Sequence, residues 1–332
     1  MRAVQIGQFG GPEVIKVVSL SRPDPGPGEV RVRMAYAGVN FSDIYRREGN
    51  YARSPTYPTQ LPLVLGLEGS GTVDAIGPDS SGFQLGDRVA FTRNLGGAYA
   101  EYCLVSVDRL VHVPAALALD IAAAAINQGM TAHYLSHEFG LKPGSTCLVH
   151  AGAGGLGTML IQLAKLKGAT VLTTVGSRDK AETARNSGAN HVILYREKSF
   201  RDEVRRLTNG QGVDVVYDTV GKDTFVDSLH CLRARGMCVL VGNSSGLVRD
   251  FDPMELAEAG SVFLTRPHMQ HYVKTAEEYA WRANDVLRWI QEGMLKVKIG
   301  HKFSLEQAVE AHRLLAARQT SGKLLLAIDE HP

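Results

Sequence analysis

The sequence contains no run of about 18 apolar residues, the length a membrane-crossing helix needs. Its first ten residues, MRAVQIGQFG, lack the apolar segment of a secretory leader, so the expectation is a soluble, cytoplasmic protein with no membrane partner. Net charge is also scarce, because 36 Lys plus Arg stand against 34 Asp plus Glu. Without a broad basic field no nucleic-acid partner is expected, and a pair such as Arg205 and Arg206 reads as a solvated helix face. The four cysteines, Cys103, Cys147, Cys231 and Cys238, show no CxxC spacing, which argues against a redox pair or a disulfide framework. Cys147 and Cys238 fall in apolar runs and read as small buried hydrophobes. His133 and His137 lie four apart, but without the glutamate of HExxH. A GxSxG nucleophile motif is missing too, as is any carboxylate pair with an evident acid-base role.

What the chain does have is two textures. From Met1 to about Leu117 it is broken by Gly and Pro into short alternating runs, such as EVRVRMAYAGV, where Val30, Val32 and Met34 share one face of a strand. A helical stretch, DIAAAAINQGMTAHYLSHEFG, follows. Six short apolar segments then alternate with helix-forming ones: TCLVHA, TVLTTV, HVILY, VDVVYD, MCVLVG and SVFLT. The economical arrangement is α/β, a doubly wound parallel sheet in the six-stranded Rossmann order. The tail supplies helices around WRANDVLRWI and LEQAVEAHRLLAAR and a final strand, GKLLLAI, expected to return to the first domain. The expected division is a β-rich domain of 1–125 with 268–332, and a Rossmann nucleotide-binding domain of 126–267.

The first of the six segments runs into HAGAGGLG, and a helical run, TMLIQLAKLK, comes next. Gly152, Gly154 and Gly157 fit GxGxxG in the strand-turn-helix setting that gives this motif its meaning. A helix start offers free N–H groups and the positive end of a dipole to a pyrophosphate. Gly152 is expected to make the turn tight, Gly154 to let the backbone approach the phosphates, and Gly157 to let helix and strand close up. An NAD site would place a carboxylate about 20 residues on, at the end of the second strand. Here that strand ends in Gly176, Ser177 and Arg178, with Lys180 next. A small residue, a hydroxyl and cations suit a 2′-phosphate, so NADPH is the expected cofactor.

With these motifs in view the chain resembles the medium-chain dehydrogenase/reductase superfamily, and within it the zinc-free, zeta-crystallin-like quinone oxidoreductases. The resemblance runs through GSTCLVHAGAGGLGTMLIQLAK, GVNFSDIYRREGNY, GLEGSGTV, GDRVAF, VVYDTVG and GNSSG. It implies a GroES-like fold for the β-rich catalytic domain and an active-site cleft between the domains. Zinc-dependent relatives carry a cysteine where this chain has Asn40, a histidine where it has Leu67, and a four-cysteine lobe after GDRV, so no metal site is expected. The resemblance places Asn40 beside the nicotinamide and Gly154, Gly155 and Leu156 under the pyrophosphate. It places Gly176, Ser177, Lys180 and Tyr195 around the 2′-phosphate, Asn243 and Ser244 on the nicotinamide ribose side, and Arg318 as an added charge. Asn40, Tyr45 and Tyr51 are the candidates for shaping the acceptor pocket, since a phenol can stack on a planar acceptor and offer a proton.

The expected activity is NADPH-dependent reduction of a small-molecule quinone. Reduction of an enone or alkenal double bond is the alternative within the same class, and a non-catalytic, crystallin-like NADPH-binding protein the alternative outside it. The apolar sixth segment, SVFLTRP, is expected at a sheet edge where pairing with its twin would make a homodimer.

Overall fold

The computed structural model describes residues 1–52, 59–92 and 96–329. It divides into two units, Met1–Met130 with Val273–Pro332, and Thr131–Tyr272. The first division lies inside the 20-residue helix Leu119–Glu138, so the change of sequence texture near Leu119 precedes the change of unit.

Unit Thr131–Tyr272 contains six parallel strands. In spatial order they are His191–Leu194, Thr170–Val175, Thr146–Val149, Val213–Asp218, Leu232–Leu240 and Phe263–Thr265, the 3-2-1-4-5-6 order of a Rossmann fold. The two central strands are apolar on both faces because helices cover a parallel sheet from either side. Leu148, Leu172, Val216, Phe225, Leu229 and Cys238 share one fully enclosed core. All four cysteines are buried and free. Burial pushes the Cys147 thiol up to about 12, which keeps it protonated and unreactive. The fifth strand is longer than MCVLVG suggests; it begins at Leu232 and includes Arg235, a non-glycine residue at φ +57°. Phe263 stands 58% exposed on the edge strand.

The β-rich unit is built on the sheet Ile299–Ser304, Lys323–Ala327, Glu29–Val39, Gly69–Ile76, Arg88–Phe91 and Leu110–His112, with Tyr102–Ser106 also paired to Glu29–Val39. The C-terminal strand does return to this unit, since Leu324–Ala327 pair antiparallel with Val39–Tyr36. Val30, Val32 and Met34 lie together in its core. Among the described residues no helix is long and apolar enough to cross a membrane.

In the turn after Thr146–Val149 the residue in the left-handed region is Ala151, at φ +55°. Glycine is needed at 152 because a Cβ there would run into the Thr173 hydroxyl on the neighbouring strand, and at 157 because it would run into the Ala151 carbonyl and lie 2.8 Å from the Gly152 Cα. Gly154 is otherwise: a Cβ there would meet only the Ala151 carbonyl oxygen, at 3.3 Å. Packing inside the protein therefore accounts for Gly152 and Gly157 but hardly for Gly154. Gly157→Ala is expected to lose about 2 kcal/mol of unfolding free energy in urea, since backbone cannot yield as a side chain can, and an unchanged midpoint would contradict the packing account.

Candidate functional site

In the Rossmann unit the candidate residues gather where the chain leaves the C-terminal ends of the parallel strands, the edge at which such sheets bind ligands. Helix Gly155–Leu166 begins at Gly154 with no side-chain cap, so the first-turn N–H groups have no capping oxygen from its own sequence. Gly176 and Tyr195 are brought together: a Cβ on Gly176 would lie 2.9 Å from the Tyr195 phenol oxygen. Ser177 caps helix Arg178–Asn186, its hydroxyl accepting from the Lys180 N–H at 3.4 Å. Lys180 is held below the usual ammonium range by burial and by the nearby cation of Arg196. Arg178, in contrast, is 84% exposed and faces Glu197 at 3.6 Å. The second cation beside Lys180 is thus Arg196, which stands next to Tyr195 but is not part of the sequence expectation.

Asn243 is buried, and its side-chain oxygen accepts from Arg266 Nη2 at 3.2 Å. Arg266 also donates to the Leu240 and Gly242 carbonyls at 2.9 and 3.0 Å, fastening the loop that carries Asn243 and the half-buried Ser244. This Arg266 clasp is likewise absent from the sequence expectation.

In the β-rich unit Asn40 lies at the centre of a buried polar cluster. It stands at the N-cap of helix Phe41–Arg47, the Asn40 N–H donating to Asp43 Oδ2 at 2.9 Å and its carbonyl accepting from the Asp43 N–H at 3.1 Å. The Asn40 amide donates to Glu68 Oε1 at 2.8 Å and to the Gly38 carbonyl at 3.3 Å. Its oxygen accepts from Lys323 Nζ at 2.8 Å and Asn127 Nδ2 at 3.2 Å. Lys323 also forms an ion pair with Glu68, both almost wholly buried, and Glu68 Oε2 accepts from the Asn127 N–H at 2.9 Å. Every hydrogen-bonding site on the Asn40 amide is therefore filled, two donors and two lone pairs. Asn40 is locked in one orientation by residues from four separate stretches of chain.

Asp43 extends the cluster. Its Oδ2 also accepts from the Tyr99 hydroxyl at 3.1 Å. Burial lifts the Asp43 carboxyl to about 6, against the pull of the Asn40 N–H and the Lys323 ammonium. Tyr99 is pushed well above the ordinary phenol range by burial and by Asp43, so it remains a donor. Tyr45 and Tyr51 are half-buried and pack edge to face with ring centroids 5.8 Å apart; Phe41 lies 6.0 Å from Tyr45. Phe41, Tyr45 and Tyr51 thus form a run of neighbouring rings that starts at the residue after Asn40. Arg318 is exposed, just past helix Ala308–Ala316, in the left-handed conformation at φ +56°.

A six-stranded Rossmann unit with a GroES-like β-rich unit is the architecture of the medium-chain dehydrogenases and reductases. Two family models match: an alcohol dehydrogenase GroES-like domain over residues 26–115 and a zinc-binding dehydrogenase domain over 155–285. A 2-haloacrylate reductase from a Burkholderia species is 39% identical over 98% of both chains, and the quinone oxidoreductase of Pseudomonas aeruginosa is 39% identical over 98% of this chain and 99% of that one. The structure of Escherichia coli quinone oxidoreductase complexed with NADPH superposes with a TM-score of 0.94 at 38% identity, covering 98% of this chain and all of the other. The chain belongs to the quinone oxidoreductases of this superfamily.

The zinc in the second family model's description raises the question whether this cluster could hold the ion. Its donors do not fit. Asn40 offers an amide that is fully engaged, Leu67 is apolar and buried, and Glu68 is already neutralised by the Lys323 ammonium. Tetrahedral zinc requires converging thiolate, imidazole or carboxylate donors. Among the described residues no group of three His, Cys, Asp or Glu side chains is placed to supply them.

The raised Asp43 value carries a pH signature. A carboxyl that titrates near 6 when folded and near 3.8 when unfolded binds its proton more tightly in the folded chain. Its stabilising contribution is present below about pH 4 and is lost as pH rises through 6. Between pH 4 and 7 the unfolding free energy of Asp43→Asn is expected to gain on that of wild type by about 2 kcal/mol. Urea unfolding across this range checks it, and a pH-independent difference would contradict it.

Proposed function

We propose that the protein is an NADPH-dependent quinone reductase that works without a metal ion. The carrying observation is the turn at Gly154, open on its outer side above an uncapped helix start, in a chain of the quinone oxidoreductase family. Backbone at Gly152, Gly154, Gly155, Leu156 and Gly157 receives the pyrophosphate. Gly176 leaves room for the Tyr195 phenol, and with Ser177 and Lys180 these residues receive the 2′-phosphate. Arg196 adds a second cation there, and the like-charge pressure on Lys180 is relieved when an anion enters. Asn243 and Ser244 meet the nicotinamide ribose, Asn40 borders the nicotinamide, and Arg318 contributes charge from the C-terminal segment.

When bound, NADPH supplies the hydride from C4 of its nicotinamide. The task left to the protein is placement and exclusion of water. Asn40 presents a fixed, fully hydrogen-bonded surface that cannot turn towards a competing ligand, while Tyr45 and Tyr51 offer ring faces to a planar acceptor and phenol protons to its oxygens. A quinone is already electron-poor and needs no cation to polarise it. A second reading is reduction of an activated carbon-carbon double bond, favoured by the similarity to the 2-haloacrylate reductase.

Steady-state rates with 1,4-benzoquinone, 9,10-phenanthrenequinone, a 2-alkenal and 2-chloroacrylate separate the readings; the quinones are expected to dominate, and turnover confined to the alkenes would overturn this one. The kcat/KM for NADPH is expected to exceed that for NADH by about 100-fold, falling about tenfold in Lys180→Ala. Equal values for the two coenzymes would remove the 2′-phosphate site.

The edge strand Phe263–Thr265, with its exposed phenylalanine, supports a homodimer formed by strand pairing across a two-fold axis. Light scattering is expected to give twice the 35.9 kDa chain mass and to give the monomer for Phe263→Lys. A monomeric wild type would overturn it.

A further inference from the structure

His150, the residue immediately before the glycine turn, is fully buried and bonded through both ring nitrogens. Nδ1 lies 2.8 Å from the Thr174 hydroxyl at the end of the second strand, and Nε2 lies 3.0 Å from the Ser228 hydroxyl on helix Phe225–His230. Ser228 in turn donates to Asp218 Oδ2 at 2.8 Å. A serine has one proton, so a hydroxyl that donates to Asp218 must accept from Nε2–H. Nδ1 is then bare and accepts from Thr174. The chain has one direction, Thr174 O–H to His150, His150 N–H to Ser228, Ser228 O–H to Asp218.

Asp218 is buried at the C-terminal end of the fourth strand and gathers a loop around itself. Its Oδ1 accepts from the Val220 and Gly221 N–H groups at 2.8 and 3.0 Å, and its Oδ2 from Thr224 at 2.8 Å. That loop carries the next one: Ser245 donates backbone and hydroxyl to the Val220 carbonyl, both at 2.8 Å, and the Lys222 N–H reaches the Gly246 carbonyl at 3.2 Å. The loop so carried, 242–246, holds Asn243 and Ser244. At the other end, Thr174 precedes Gly176 by two positions, and its carbonyl accepts the Gly152 N–H at 3.1 Å.

We propose that the Thr174–His150–Ser228–Asp218 chain is a positioning device for the dinucleotide, fixing the loops at the nicotinamide end in register with the two turns at the phosphate end. This rests on the NADPH reading above. Burial holds the His150 imidazole below its ordinary range, against the opposing pull of Asp218, consistent with the neutral ring this direction needs. The four residues act through others, on loops that follow the first, second, fourth and fifth strands, which are neighbours in the sheet.

Calorimetry with NADPH and with adenosine 2′,5′-bisphosphate, which has no nicotinamide half, tests the proposal. Ser228→Ala and Thr174→Val are each expected to weaken NADPH about tenfold while changing the bisphosphate less than about twofold. The double variant is expected to be no worse than the weaker single one, because either cut breaks the same chain. Thr174→Ser, which keeps the hydroxyl, should bind NADPH as wild type does and keep the same KM and kcat. Either single variant suffices should the other fail to fold. Unchanged NADPH affinity, equal losses for both ligands, or fully additive losses would each overturn the proposal. A wild type that bound the bisphosphate but not NADPH would overturn it also, and one that bound neither would remove the cofactor assignment beneath it.

Discussion

The constraint on which the rest depends is bare backbone at the C-terminal edge of a parallel sheet. A strand ending at Val149 must reverse into a helix within a few residues and still leave main-chain N–H groups facing outward. Three glycines share that task unequally. Gly152 fits against a neighbouring strand and Gly157 against the turn itself, so both answer to the protein's own packing. Gly154 is the least constrained of the three, its Cβ position meeting only the Ala151 carbonyl oxygen at 3.3 Å, and this supports the proposal that a ligand approaches this face. A dipole end with no side-chain cap then favours an anion there, and the rest of the edge, Gly176 beneath Tyr195 and Lys180 beside Arg196, continues the same preference for negative charge.

The β-rich unit solves a different problem. It buries Glu68, Lys323, Asp43 and Asn40 together, and a buried charge without a partner is strongly destabilising. Each group here has a partner from far along the chain: Lys323 comes from the C-terminal strand, Glu68 from the entry to strand Gly69–Ile76, Asn127 from the long helix. Such a cluster is a poor source of net stability, since apolar residues would fill the same volume at less desolvation cost. What it provides is direction. Asn40 has its amide held from both sides, so the protein itself sets its orientation, which supports its proposed place beside a planar cofactor.

Much of this was legible in the sequence, for a physical reason. Parallel strands covered on both faces read as continuous apolar runs, and six such runs alternating with helices admit few right-handed topologies. The glycine spacing and the lack of a carboxylate after TVLTTV are local signals and needed no tertiary information. The polar cluster was not legible in that way. Glu68 in GLEGSGTV and Lys323 in GKLLLAI each stand as a lone charge beside small or apolar residues, which is a signal, but nothing in either stretch says that they pair with one another. The same limit explains Arg178 and Arg196. Sequence proximity to the second strand favoured Arg178, whereas the fold sends it outward to Glu197 and brings the end of the third strand, with Tyr195 and Arg196, back over Gly176. The positive φ in this turn was not legible either, since a residue that is not glycine, Ala151, holds it.

The cluster also gives a chemical reason why the positions of Asn40 and Leu67 would not hold zinc. A cation at the centre of this region would face Lys323, whose ammonium already neutralises Glu68, and would find an amide and a leucine at Asn40 and Leu67. Without Lys323, Glu68 would be a buried carboxylate held by hydrogen bonds alone with no countercharge. An internal ammonium at the C-terminal strand supplies that countercharge and fixes the asparagine in the same step. The lack of zinc donors at Asn40 and Leu67 and the Glu68–Lys323 pair are thus parts of one electrostatic arrangement. That arrangement supports the proposal of a metal-free site for an acceptor, such as a quinone, that takes a hydride without help from a Lewis acid.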